Sequence, residues 1–182
     1  MEKKRLIRKD YFLKRKRKYF PINENFFLPL FKLIKQKYRI NKGSISLYYP
    51  SSNEVNVLKI LDIKNSVKFN FLLPSIENNK MNFYQWKKND ILFLNQYGIP
   101  EPLKSEIKVP KVILAPVLAY DKNKNRLGYG KGFYDKYLNK CFKMHKKILA
   151  IGVAFSFQRH HKLPVNKKDY KLDYIITEKG IF

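Results

Sequence analysis

The chain has 182 residues, enough for one domain with a full apolar core and no need of disulfides or a structural metal as staples. Hydrophobic residues at 45% and aromatic residues at 15% exclude bulk disorder, and the single cysteine, Cys141, excludes a disulfide framework or a paired-cysteine zinc site. Thirty-nine Lys and Arg against fourteen Asp and Glu give +25, which admits a polyanion partner but equally fits a solvated surface drawn from AT-rich coding.

No apolar run approaches the ~18 residues of a membrane span, and the opening residues are too charged for a signal peptide. The expectation is a soluble, cytoplasmic monomer with a single domain over 1–182, residues 1–20 forming a basic helix packed on it. Leu6, Leu13 and Phe20 recur as an apolar seam on that helix. Lys4, Arg8, Tyr11 and Arg15 follow the i, i+4, i+7, i+11 rows on its opposite side.

Pro21 marks a boundary, and a second helix is expected over 23–40 with a break near Pro29. A turn at 41–43 leads to a short strand at 45–49. Ser52 or Asn53 is placed to cap a helix through Val55, Leu58 and Leu61. Another strand is expected over 67–73, stopped by Pro74. The polar stretch 75–106, with Asn78-Asn79, Trp86 and Gly98, reads as one or two hairpins with long loops.

Residues 112–120 are nearly all apolar, as in a strand covered on both faces. A helix over about 133–145 follows, then continuous apolar strands at 148–155 and 174–177. Strand–helix–strand order with unalternated strands predicts a three-layer α/β/α sandwich around a mostly parallel sheet.

The chemistry concentrates in 121–135, between a buried strand and a helix, where open α/β sheets bind ligands. Gly128, Gly130 and Gly132 alternate, so backbone N–H groups can approach an anion without interference from Cβ. The N-terminus of the following helix adds a positive dipole end, and Arg126 and Lys131 add full charges. These describe a phosphate cradle, although a turn chosen for tight packing would look alike. The spacing GxGxG matches neither the Walker A loop nor the dinucleotide fingerprint.

The run Arg126-Leu-Gly-Tyr-Gly-Lys-Gly-Phe-Tyr-Asp135 resembles the signature of the 5-formyltetrahydrofolate cyclo-ligase (5,10-methenyltetrahydrofolate synthetase) family. Further echoes follow in order: Lys4-x-x-x-Arg8, Glu54-Val55, Leu73-Pro74, Met81-Asn-Phe83, Gly98-Ile-Pro-Glu-Pro102, Ile151 to Gln158, Leu163-Pro164, Asp169 and Ile175 to Glu178. The resemblance implies ATP-dependent closure of 5-formyltetrahydrofolate to 5,10-methenyltetrahydrofolate with Mg²⁺ required. In the family's mechanism the formyl oxygen is phosphorylated and N10 then attacks.

By the same resemblance, Lys131 and Arg126 are the catalytic cations. Lys4, Arg8, Arg126, Leu127, Gly128, Tyr129, Gly130, Lys131, Gly132, Phe133 and Tyr134 would contact ATP. Tyr49, Glu54, Tyr129, Gly130, Lys131, Gly132 and Phe133 would contact the folate, and Asp135 and Asp169 would be the Mg²⁺-associated carboxylates. Each has a plainer alternative: solvated helix charge for Lys4 and Arg8, a helix-start acid for Glu54, local pairing for Asp135, core packing for Phe133 and Tyr134.

Three positions depart from the family: Val117 and Lys124 stand where Gly is usual, and Lys168 where His or Asn is common. If residue 124 needs φ > 0, Lys costs about 1–2 kcal/mol there. His145, His160 and His161 show no ligand spacing and read as surface residues, Cys141 as a small buried hydrophobe, and Trp86 as a lining or anchor of the folate loop. Two rival readings stand beside the enzyme. One is a nucleic-acid-binding protein, prompted by Lys14-Arg-Lys-Arg-Lys18; the other is a relative on the same fold that binds nucleotide without catalysis.

Overall fold

The computed structural model describes residues 2–182. α1 (Glu2–Lys18) opens the chain, and a 3-10 turn (Glu24–Phe27) leads into α2 (Leu28–Gln36). Asn23 caps that turn by accepting from the Asn25 N–H at 3.1 Å. Pro29 lies in the first turn of α2, where its missing N–H breaks no helical bond. The expected 23–40 helix is therefore two pieces.

β1 (Gly43–Ser46) and β2 (Phe69–Glu77) enclose two 3-10 segments, Val57–Asp62 and Lys64–Lys68. The α-helix expected from Ser52 does not form. Ser52 (φ 48°) and Asn53 (φ 60°) are consecutive left-handed residues, which reverse the chain instead of starting a helix. Asn56 is the cap, accepting from the Leu58 N–H at 3.1 Å.

β2 also runs through Pro74 instead of ending there. The Phe71 carbonyl accepts from Trp86 on one side, and the Leu72 carbonyl accepts from Leu47 on the other. Pro74 thus faces the β1 side, where β1 has already run out opposite Leu72, and its missing N–H removes no ladder bond. β3 (Lys80–Gln85) returns antiparallel through a turn with Asn78 and Asn79 both left-handed, as a tight hairpin requires.

β4 (Leu92–Leu94) and β5 (Pro100–Pro102) form a separate hairpin. β6 (Val112–Pro116), the small hairpin β7 (Ala119–Tyr120) and β8 (Arg126–Leu127), α3 (Phe133–Lys143), β9 (Leu149–Val153), β10 (Tyr174–Thr177) and β11 (Gly180–Ile181) complete the chain. The main sheet has order β11-β10-β9-β6-β1-β2-β3. Its interior pairs are parallel and its two edge pairs antiparallel.

Successive strand residues point to opposite faces and feed two cores. Ile45, Leu47, Phe71, Val112, Leu114 and Ile151 pack with Phe27, Leu30 and Ile34 of the α2 side and with Val57 and Ile60. Leu72, Ile113, Ala115, Ala150 and Ile175 pack with Leu138 of α3. Helices on both faces of a mainly parallel sheet give the three layers expected. No helix among the described residues is long and apolar enough to cross a membrane.

α1 presents the face opposite to the one its apolar residues suggest. Leu6 and Leu13 are 57% and 40% exposed, whereas Tyr11 and Arg15 are buried. The stripe turned toward the body is the Lys4–Arg8–Tyr11–Arg15 row. Phe20, just past the helix, does pack, 4.7 Å from the Phe155 ring.

Candidate functional site

The glycine loop leaves the sheet at the carboxyl end of β6 and is braced on both sides. Asp121, buried, accepts from the Asn123 and Asn125 N–H groups, the Asn125 side chain and the Leu163 N–H. Burial pushes its carboxyl up, but these hydrogen bonds to the charged form outweigh it and hold the group below its ordinary value. Lys124 has φ 65°, the left-handed conformation that makes glycine the usual occupant. Val117 takes no such conformation and its side chain packs in the core, so glycine is not required there. Lys168 takes part through its backbone, its carbonyl accepting from Asn139 at 2.9 Å.

Arg126 is held at the mouth of the loop. Its side chain is 4% exposed, its Nη2 lies 2.9 Å from Asp135 Oδ1, and its guanidinium stands over the Tyr134 ring at 5.5 Å. A Cβ on Gly128 would come within 2.8 Å of Arg126 Nη1, so glycine is what lets the arginine lie along the loop. Gly130 and Gly132 have φ 105° and 69°, and Gly132 caps α3. Two left-handed residues flank Lys131 and leave it exposed, its Nζ 5.5 Å from the Tyr97 ring centroid.

α1 lies across this loop. Arg8 Nε donates to the Gly128 carbonyl at 2.9 Å, and Lys4 Nζ pairs with Asp169 Oδ2 at 2.5 Å. Tyr11 donates to the Arg159 carbonyl at 2.8 Å. Lys4 and Arg8 thus become part of one wall of the site and are not solvated helix charges.

Glu54 comes from the opposite side, at the end of the left-handed Ser52–Asn53 turn. The Ser51 N–H donates to its Oε2 at 2.8 Å, and the Tyr129 hydroxyl donates to its Oε1. Burial raises its carboxyl above the ordinary value against the opposing pull of Tyr129, Ser51 and the Arg15 charge. Two consecutive left-handed non-glycine residues beside a buried acid are a local cost at a cavity wall.

A cavity of about 630 Å³ joins these parts, and every residue expected at the site lines it: Lys4, Arg8, Tyr49, Glu54, the loop 126–135 and Asp169. Leu127 contributes least, since its side chain packs in a small core with Tyr11 and Leu163. Phe12 and the β4–β5 hairpin, through Asn95, Tyr97 and Glu101, also line the cavity and were not expected there. Glu101 anchors that hairpin, accepting from Ser75 Oγ at 2.6 Å, the Ile76 N–H at 2.8 Å and Asn95 Nδ2 at 2.7 Å. Trp86 is a buried core residue of the sheet and not a lining residue, and Cys141 is buried as expected. His160 is partly covered, its Nδ1 3.3 Å from the Tyr11 hydroxyl.

Asp135 and Asp169 face the same cavity, each with one oxygen engaged. Asp135 Oδ1 takes Arg126 and the Tyr170 N–H, and Asp169 Oδ2 takes Lys4 and the Asn166 N–H. The other oxygen of each has no hydrogen-bond partner among the described residues. Two carboxylates do not make an all-protein cage, and no cluster of three or more His, Cys, Asp or Glu side chains is present among the described residues. They do suit Mg²⁺, which commonly binds one or two carboxylates together with substrate phosphates.

The chain and its fold have counterparts. Residues 1–178 match the model of the 5-formyltetrahydrofolate cyclo-ligase family. The 5-formyltetrahydrofolate cyclo-ligase of Mycoplasma genitalium is 34% identical over 135 residues, covering 73% of this chain and 71% of that protein. The mouse enzyme of the same name is 28% identical over 160 residues, covering 81% and 79%. Among solved structures, the 5,10-methenyltetrahydrofolate synthetase of Aquifex aeolicus superposes with a TM-score of 0.77 at 27% identity, covering 98% of this chain and 91% of that one. The Mycoplasma pneumoniae synthetase shares the fold, with a TM-score of 0.71 at 22% identity over 96% and 98% of the two chains.

Proposed function

The chain belongs to the 5-formyltetrahydrofolate cyclo-ligase family, and from that premise we propose that it closes 5-formyltetrahydrofolate to 5,10-methenyltetrahydrofolate at the expense of ATP. The observation that carries this reading is the polarity of that cavity. Lys4, Arg8, Arg126 and Lys131 line it with the glycine loop, and the Glu54 carboxylate lines it from a different segment of the chain.

The cationic part suits a triphosphate. Arg126, fixed by Asp135, and Lys131, free of any carboxylate partner among the described residues, are placed to offset charge on transferring phosphoryl oxygens. Backbone N–H groups of the loop and the N-terminus of α3 add fixed partial charges. Asp135 and Asp169 would hold Mg²⁺ through their free oxygens. The metal, when bound there, would supply neutralisation of phosphate charge.

Glu54, an acceptor on both oxygens when ionised, suits the donor-rich edge of a pterin, and Tyr49 and Phe133 offer flat faces beside it. The reaction then needs two steps. The formyl oxygen attacks the γ-phosphorus and ADP leaves. N10 attacks the activated carbon, phosphate departs with the former formyl oxygen, and N10 loses its proton. The protein mainly positions the reactants and stabilises charge. The lone buried cysteine fits a reducing compartment, and we place the enzyme in the cytoplasm, acting as a monomer.

The test is formation of the methenyl chromophore from 5-formyltetrahydrofolate, with and without ATP and Mg²⁺. Product that requires both supports the assignment. No product under any combination, together with nucleotide binding, would assign the protein as a non-catalytic relative. Tight, sequence-selective nucleic-acid binding without cyclisation would overturn the enzyme altogether.

A further inference from the structure

Arg15 heads the largest fully buried side chains of the fold, at 0% exposure. None of its three guanidinium nitrogens has a hydrogen-bond partner among the described residues. Burying a cation without hydrogen bonds is unfavourable, and such a residue persists where its charge serves something else. Arg15 is separate from the cavity lining, but it stands directly behind it. Its guanidinium carbon lies 5.5 Å from the centre of the Tyr129 ring. Tyr129 in turn donates its hydroxyl to Glu54, and both of these line the cavity.

We propose that Arg15 is a positioning residue for the folate end of the site: its buried guanidinium holds Tyr129 against Glu54, so that the Glu54 carboxyl is set to receive the substrate. The proposal rests on the cyclo-ligase reading for the identity of that substrate. The contacts from Arg15 to Tyr129 and from Tyr129 to Glu54 do not depend on that reading.

The groups facing Glu54 come from four parts of the chain. Ser51 lies on its own turn, Tyr48 just past β1, Tyr129 and Tyr134 on the glycine loop and the start of α3, and Arg15 on α1. Arg15 is the only cation in that set. Burial drives the carboxyl upward, and the Arg15 charge is one of the influences drawing it back. Without that charge the carboxyl rises further. The protonated fraction then grows at neutral pH and shrinks again as pH rises. A protonated Glu54 loses an acceptor and sets a hydroxyl against pterin donors.

A structural role predicts something different. If Arg15 only fills space, an apolar side chain of like length leaves Glu54 untouched, and any loss of activity follows loss of folding. The contact with Tyr129 also separates Arg from Lys, since a broad planar guanidinium and a compact ammonium present their charge to a ring differently.

The deciding measurement is the titration of Glu54 itself, by carboxyl-carbon NMR of glutamate-labelled protein, assigned with Glu54→Gln. In Arg15→Met the Glu54 midpoint is expected to rise by at least ~0.5 pH unit, with Arg15→Lys between it and the parent. In the cyclisation assay, Arg15→Met should raise KM for 5-formyltetrahydrofolate about 5-fold or more near pH 7 with kcat little changed, the gap narrowing as pH rises. Its thermal midpoint should not fall, because an unpaired buried charge has been replaced by an apolar group. Arg15→Gln removes the charge and keeps a polar tip, and serves the same purpose if the Met variant folds poorly. An unmoved Glu54 midpoint, or a KM penalty equal at every pH, overturns the proposal. Absence of methenyl product from the parent protein would defeat the functional reading while leaving the NMR titration to decide the Arg15–Glu54 link.

Discussion

Arg126 and Asp135 hold each other at 2.9 Å across the glycine loop, although one is expected to face phosphate and the other metal. A cation and an anion that share a site in this way tune one another: the carboxylate aims the guanidinium and keeps its second oxygen for a further ligand. Asp135→Asn keeps size and shape while cutting the charge. It is expected to lower activity about 10-fold, roughly one charge-assisted contact, and to move the Mg²⁺ titration to higher concentration. The 5-formyltetrahydrofolate KM should stay within about twofold under uniform-binding logic. If folate affinity collapsed while the Mg²⁺ titration held, Asp135 would belong to the substrate end.

Lys131 is the freest cation of the site, exposed between two left-handed glycines with its ammonium over the Tyr97 ring. No carboxylate among the described residues claims it, so its charge is available to a ligand. Lys131→Ala is expected to lose at least ~10-fold in kcat/KM for ATP, from ~1.5–3 kcal/mol of charge-assisted bonding. Because the side chain is exposed, the unfolding midpoint should stay put. Near-normal kcat/KM for both substrates would remove Lys131 from the phosphate cradle.

Much of this is legible in the sequence, and the differences have physical causes. The continuous apolar strands and the alternating glycines located the sheet and the loop at its carboxyl edge, because burial on two faces and close backbone approach each leave a compositional trace. α1 was misread because periodicity assumes that the apolar stripe faces inward. Here the inward face meets the polar groups of the glycine loop, Asp169 and Tyr129, so Lys4, Arg8 and Arg15 turn in and Leu6 and Leu13 turn out. The helix at 52–61 failed through Ser52 and Asn53, whose left-handed backbone has no glycine to announce it. Pro74 ended nothing because where β1 stops is a tertiary fact. The Asn95–Glu101 hairpin is held at the cavity by the bonds of Glu101 to Ser75 and Ile76, contacts distant in sequence that no local pattern contains.

Lys124 carries a cost that can be recovered. Its φ of 65° is forced by the tight Asp121–Asn125 turn, whose closing bond runs from the Lys124 N–H to the Asp121 carbonyl at 3.0 Å. Lys124→Gly relieves about 1–2 kcal/mol of left-handed strain but gives back about 0.4–1 kcal/mol through a more flexible unfolded chain. The expected result is a small net gain in the denaturant midpoint at unchanged m-value, with activity intact. A clear loss of stability would mean that the Lys124 ammonium over the Tyr174 ring, 5.3 Å away, contributes more than the backbone strain costs.

The basic run on α1 separates incidental charge from function, provided Arg15 is left alone. Lys14, Lys16, Arg17 and Lys18 are not buried, whereas Arg15 is fully so. Replacing these four by Gln, with Lys4, Arg8 and Arg15 kept, should weaken RNA or DNA retention at low salt and leave cyclisation within about twofold. The first part follows from counterion release, which scales with the number of cations near phosphates and fades as salt rises. The second follows from distance. Arg8 and Lys14 are separated by about 9 Å of helix at ~1.5 Å per residue, near one Debye length at physiological salt, so the outer charges are largely screened from the site. Extending the replacement to Arg15 should add a catalytic defect that the other four do not cause. If the four-residue variant lost activity as severely as the five-residue one, the outer charges would be part of the site and the buried arginine would have no special place in it.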